Sequence, residues 1–170
     1  PAPLDGLPGQ LARVSHLATP GAGLKGRVMK RYPVYKDSGL DWLGSVPSHW
    51  ERVTIRALTQ LVAERNRPDL PLLSVYRDFG VILKDSRDDN YNRAGEDLTA
   101  YKVVMLGRLV LNKMKTWQGS LGISDLEGIV SPAYITCDLK GSVSPRYFHF
   151  LLRSHPYIIA YNHLSYGVRV

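Results

Sequence analysis

Leu109 to Tyr134, LVLNKMKTWQGSLGISDLEGIVSPAY, carries the reading of the fold. Leu109 to Met114 reads as a strand. Leu121 to Ser124 and Ile129 to Leu139 read as a hairpin pair around Asp125-Leu126-Glu127-Gly128, because short apolar runs bounded by Gly, Ser and Asp suit strands joined by turns. Lys113 near the end of the first strand, then Lys115, Trp117, Gln118 and Ser120, lead into the second. Lysine supplies charge and donors, Gln paired donor and acceptor groups, Trp a flat stacking surface, and Gly and Ser allow close backbone approach. Those are the groups that grip a nucleic acid, not groups that break a covalent bond.

Outward from this stretch, Tyr101 to Met105 reads as a strand that ends in a turn at Gly107. Leu72 to Tyr76 and Val81 to Leu83 read as short strands joined through Arg77, Asp78, Phe79 and Gly80. Glu51 to Glu64 opens as a strand and then turns helical, with Val53, Ile55, Leu58, Leu61 and Val62 fitting each period in part; Asn66, Pro68 and Pro71 break it. Lys84 to Asp97 is a polar loop. The clearest helix starts at Ser144, a good N-cap, and Pro145, a good first-turn residue, and carries Tyr147, Phe148, Leu151 and Leu152 at helical spacing. Pro156 kinks that helix or starts a second one through Ile158 and Tyr161. The expected class is mixed α+β in one domain, a central twisted β-sheet framed by helices.

Residues 1–28 hold 4 of the 11 prolines and 5 of the 15 glycines and no aromatic residue, so they read as a mostly irregular leader or appended extension, with Met29 a candidate natural start. The domain is expected over 29–170. Within it, residues 30–50 form a turn-rich arm pinned to the core by Trp42, Leu43, Val46 and Trp50. The net charge of +7 favours a polyanionic partner. Residues 1–28 contribute Arg13, Lys25 and Arg27 against Asp5, so the body keeps +5. The single cysteine, Cys137 in YITCDL, excludes an internal disulfide and reads as a buried strand residue, which fits a reducing compartment. No run approaches the ~20 apolar residues of a membrane span. A cytoplasmic location is expected, with no membrane partner.

Catalytic patterns are missing. The chain has no Gly-x-Ser-x-Gly elbow, no GxxxxGK[ST] loop, no GxGxxG run and no HExxH pair; lone Cys137 cannot supply a zinc cysteine set. Ser131-Pro132-Ala133-Tyr134 only echoes the Asp/Asn-Pro-Pro-aromatic loop of amino-methyltransferases. Pro68-Asp69 and Asp138-Leu139-Lys140 match a PD…(D/E)xK nuclease by letter, but they lie far apart with no supporting acid evident. The expectation is a protein that is not an enzyme and needs no metal or cofactor of its own.

Three segments carry a family resemblance. Tyr32 to Glu51, YPVYKDSGLDWLGSVPSHWE, looks like the opening of specificity subunits of type I restriction–modification enzymes. Gly107 to Tyr134 resembles the middle of their target recognition domains, and SPRYFHFLLRS (Ser144 to Ser154) with LSYGVRV (Leu164 to Val170) resembles the end. The resemblance runs in order over about 30–170. It implies a non-catalytic chain that reads one half of a split double-stranded DNA site and works with a modification (methyltransferase) subunit and a restriction subunit. S-adenosylmethionine, ATP and Mg then belong to those partner subunits. It also implies that this chain is the first recognition domain, with a spacer helix and a second domain expected beyond Val170.

Direct readout says which residues such a domain needs. Gln or Asn bonds bidentately to adenine and Lys or Arg to guanine, each good pair giving about 1–3 kcal/mol of discrimination; phosphate contacts set register without reading sequence. The first candidate set is Lys113, Lys115, Thr116, Trp117, Gln118 and Ser120, with Lys115 and Gln118 as base readers, Lys113 on phosphate, and Trp117 either against sugar or packed under the loop. The second is Tyr166, Gly167 and Arg169 with Ser165. The third is the polar loop, Arg87, Asn90, Tyr91, Asn92 and Arg93. In the alternative reading the chain is a protein-interaction scaffold that docks a modification subunit and binds little DNA itself.

Overall fold

Leu109 and Val110 are neighbours on one strand, and both are buried although their side chains leave on opposite faces. The sheet they belong to is therefore covered on both sides. A computed structural model describes residues 31–87, 95, 97–141 and 143–165, together with the backbone of the strand Gln10–Arg13. In chain order the elements are β1 (Gln10–Arg13), β2 (Tyr35–Asp37), β3 (Ser45–Pro47), β4 (Glu51–Thr54), α1 (Ile55–Leu58), β5 (Thr59–Val62), β6 (Leu73–Tyr76), β7 (Gly80–Leu83), β8 (Lys102–Val104), β9 (Leu109–Asn112), β10 (Leu121–Ile123), β11 (Gly128–Val130), β12 (Tyr134–Leu139), α2 (Pro145–Leu152) and α3 (His155–Leu164). The fold is mixed α+β, as the sequence implies.

The main sheet is antiparallel in the order β10-β9-β12-β5. On one face Leu109, Leu121, Ile123 and Cys137 meet Phe148, Leu152, Tyr157 and Tyr161 of α2 and α3. On the other, Val110 packs with Leu73, Val75, Val81, Val104 and Val130 from two antiparallel ribbons, β6–β7 and β8–β11. The first sheet face is thus covered by helices and the second by ribbons. The arm is the β2–β3 hairpin and its turn, and Trp42 anchors it edge-on against Tyr157 with ring centres 5.0 Å apart. Within the segment read as an irregular leader, Gln10–Arg13 pairs antiparallel with β4.

Two elements differ from the sequence reading. Glu51 to Glu64 does not end as a helix. Thr54 accepts from the Ala57 N–H and starts one turn, and the chain then returns to a strand, β5. Pairing with β12 decides this: Thr136 faces Val62 in register, and its hydroxyl donates to the Val62 carbonyl at 2.7 Å. Nor do Leu121–Ser124 and Ile129–Leu139 form a hairpin. β10 pairs with β9 and β11 with β8, and Ser131-Pro132-Ala133 separates β11 from β12. The Ser124 N–H donates to Arg108 O (2.9 Å) and the Gly107 N–H to Ser124 O (2.8 Å), which extends the β9–β10 pairing, and the Ser124 hydroxyl then donates to Leu126 O at 2.7 Å where the chain turns. The Ser144 N-cap and Pro145 start α2, and Pro156 opens a separate helix, α3, rather than a kink.

Arg108 fastens these layers. Only 4% of its side chain is exposed. Its Nε donates to Asp138 Oδ1 at 2.7 Å, and Nη1 donates to Glu64 Oε2 at 3.2 Å and to Val103 O at 2.9 Å. Burial alone would lower the guanidinium pKa; the two carboxylates outweigh it and the net direction is up. Asp69, the other acid of the nuclease-like letters, pairs at 2.7 Å with Arg67.

Two predictions follow from packing. A Cβ on Gly128 would stand 2.5 Å from the backbone Pro71 O and 2.6 Å from Cγ of the buried Leu73, whereas Gly141 has open space and needs Gly only for its φ of +71°. Gly128→Ala is expected to cost about 3 kcal/mol by overpacking and Gly141→Ala about 1 kcal/mol by backbone strain; urea melts that rank them the other way would contradict this core. Cys137 is buried, and desolvation followed by the adjacent Asp138 pushes its thiol up to about 11. A disulfide reagent at mildly alkaline pH should leave the native thiol unmodified and titrate it fully in denaturant.

Candidate nucleic-acid interface

The loop from Lys113 to Ser120 joins β9 to β10 and closes on its own backbone. Asn112 organises it: the Met114 N–H donates to Asn112 Oδ1 (3.1 Å), while the Thr116 hydroxyl (2.7 Å) and the Lys115 N–H (3.0 Å) donate to Asn112 O. Thr116–Gln118 then forms one 3₁₀ turn that ends at Gly119. Gly119 has φ +91°, and a Cβ there would sit 3.1 Å from Ile158 Cδ1 of α3, so both the turn and the close approach require glycine. The loop is tied internally and seated on a helix.

This scaffold sorts the first candidate set. Lys113, Met114 and Lys115 are exposed, Met114 to 74%, and Thr116, Trp117 and Gln118 are half-buried. Trp117 is half-buried, and its indole N–H donates to Met114 O at 3.1 Å, which braces the loop. Ser120 corrects the expectation. It is only 4% exposed, and its backbone N–H donates to Lys115 O at 3.2 Å, so it closes the loop and presents no hydroxyl to a ligand. The Thr116 hydroxyl is likewise spent on Asn112 O.

Behind the loop Lys102 donates to Tyr134 O and is partly buried. Burial, then the neighbouring Arg65 and Lys113 cations, push its amine below the usual lysine range. Arg65, Lys102 and Lys113 therefore share one electropositive neighbourhood. Arg87 of the third set lies with its guanidinium carbon 4.7 Å from the Phe79 ring centre and 5.3 Å from that of Tyr76. Ser165 of the second set donates to Tyr161 O at 2.7 Å, extending the end of α3. Tyr166, Gly167 and Arg169, and Asn90, Tyr91, Asn92 and Arg93, lie outside the described residues.

Sequence reasoning passed over the β6–β7 turn, Arg77 to Gly80, as a connector. It lies beside the loop: a Cβ on Gly119 would be 4.0 Å from Arg77 Cγ, and one on Gly122 of β10 would be 3.5 Å from Gly80 Cα. His149 of α2 and Arg153 at its C-cap hold the turn from behind. Arg153 donates to Arg77 O and places Nη1 2.7 Å from His149 Nε2, while His149 Nδ1 accepts from the Ile123 N–H at 3.2 Å. The signal present in sequence was an apolar Phe79 inside a turn, where no core could cover it.

Among the described residues no group of three or more His, Cys, Asp or Glu could hold a metal, and no helix is long and apolar enough to cross a membrane. Neither a protein-family model nor a curated protein matches the chain.

Burial, then the Arg153 cation, hold the His149 pKa below its ordinary 6.5. The folded state therefore binds a proton less readily than the unfolded one. The stability contribution of neutral His149 is complete above about pH 6.5 and is lost as pH falls through the lower folded value. Melting temperature should drop more between neutral and mildly acidic pH for the wild type than for His149→Gln; parallel curves would show that this contact does not titrate.

Proposed function

We infer that the chain is a non-catalytic DNA-binding domain. It reads one half of a bipartite double-stranded site on behalf of the methyltransferase and restriction subunits of a type I restriction–modification complex. One observation carries the reading: a loop closed on its own backbone presents Lys113 and Lys115 to solvent, with Gln118 and Trp117 half-exposed beside them. Rigidity matters because a base reader held in place loses little entropy on binding. The lysines neutralise phosphates and release counterions. Lys115 and Gln118 read base edges, where bidentate geometry separates one base pair from another. The three-segment resemblance supplies the setting. In that setting the domain works in the cytoplasm, takes no cofactor, and leaves S-adenosylmethionine, ATP and Mg to its partner subunits.

The scaffold reading keeps one observation in its favour. Phe150 of α2 and Ile159 of α3 are exposed apolar residues on the helical layer, the chemistry of a protein-docking face. A pull-down with the neighbouring modification subunit distinguishes the two. Complex formation lost in Phe150→Ser, with duplex binding unchanged, would assign the helices to docking and leave the loop to DNA.

The main test is fluorescence anisotropy on short duplexes at rising salt. Lys113→Ala should weaken every duplex about equally and reduce the salt slope by about 0.9, one phosphate contact. Gln118→Ala should change preference within a randomised half-site library, by about 1–3 kcal/mol at the position read. Absence of duplex binding by the wild type at low salt would overturn the reading.

A further inference from the structure

We propose that the β6–β7 turn, Arg77-Asp78-Phe79-Gly80, is a second arm of the DNA surface, which grips the sugar–phosphate backbone next to the bases engaged by the Lys113–Gln118 loop. The proposal rests on the DNA-binding reading above. Its starting point is an anomaly. Phe79 is 55% exposed, and the Arg77 side chain, 67% exposed, has among the described residues only the adjacent Asp78 carboxylate, at 3.9 Å, as a charged partner. A large apolar ring and a guanidinium at the tip of a hairpin do nothing for the core, which β6 and β7 fill with Leu73, Val75 and Val81.

The turn is built to stay where it is. Arg153, at the C-cap of α2, donates to the Arg77 carbonyl, so the backbone is held from behind while the Arg77 side chain remains accessible. Gly80 and Gly122 let the turn and β10 lie close together, and a Cβ on Gly119 would stand 4.0 Å from Arg77 Cγ. The two loops therefore lie side by side, and a duplex laid across one passes the other. On the outer side Arg87 stacks over Tyr76 and Phe79, which adds a second guanidinium to the arm in a fixed orientation. Arginine suits phosphate because its fork matches two oxygens, and an exposed aromatic ring suits the apolar edge of deoxyribose.

Asp78 makes the assignment sharp. An exposed Arg–Asp pair at 3.9 Å is weak, so a phosphate can displace the carboxylate. The same carboxylate also repels the backbone that Arg77 attracts. Removing either charge therefore moves affinity in opposite directions, and neither change depends on base identity. The apolar Phe79 contact, in contrast, releases no counterion.

The experiment uses the whole chain and random-sequence duplexes, with anisotropy measured across a salt series. Arg77→Gln should weaken binding about three- to tenfold on every duplex and lower the salt slope by about 0.9. Phe79→Ser should weaken binding with the slope unchanged. Asp78→Asn should tighten binding, a gain that misfolding cannot produce. If the wild type binds duplex and all three variants bind like it, this arm is refuted while the Lys113–Gln118 reading stands. Effects confined to particular sequences would refute the backbone assignment. A wild type that binds no duplex removes both readings together.

Discussion

A buried guanidinium organises this domain. Arg108 stands just before β9, nearly sealed from water, and reaches Val103 O on β8, Asp138 on β12 and Glu64 just past β5. An unpaired cation in that position would be strongly destabilising, since desolvation removes its hydration without replacement. Two carboxylates and a carbonyl satisfy it only when the segments that carry them converge. The pairing order of the sheet and the attachment of the β8–β11 ribbon are thus coupled to one side chain. Both carboxylates keep contact with solvent, so the pair avoids the full penalty of a dry ion pair.

The candidate interface inherits its shape from this frame. β9 leaves Arg108 and runs straight into the Lys113–Ser120 loop. The loop is stiff because Asn112 takes up its first hydrogen bonds and α3 supports its far end through Ile158. The helices serve two purposes at once. Phe148 and Leu152 of α2 and Tyr157 and Tyr161 of α3 complete the core, while His149 on α2 and Arg153 at its C-cap clasp the β6–β7 turn. Core packing and loop positioning come from neighbouring positions on and just after one short helix.

Local signals were read well from sequence. The Ser144-Pro145 start, the break in the helix at Pro156, the buried Cys137, the Trp42 anchor and the strands about Leu73, Val81, Val103 and Leu109 all depend on residues close together in the chain. Partners were not legible. Thr59–Val62 has no strand signal that outweighs helix until β12 lies beside it. Asp125 to Gly128 looks like a hairpin turn until Gly128 is needed to let Pro71 and Leu73 pass. In the candidate site, the exposure of Lys113 and Lys115 followed from their charge, whereas the burial of Ser120 and the closeness of Arg77 to Gly119 came from contacts distant in sequence.

The sequence by itself determined the class of the fold, the places where helices begin, and the segment rich in lysine, tryptophan and glutamine, because capping, periodicity and charge act over a few residues. Tertiary structure alone decided which strands pair, which serine lies inside, and which turn stands beside that segment. Those outcomes depend on burying both faces of one sheet and on pairing one buried arginine, constraints that no short window of sequence contains.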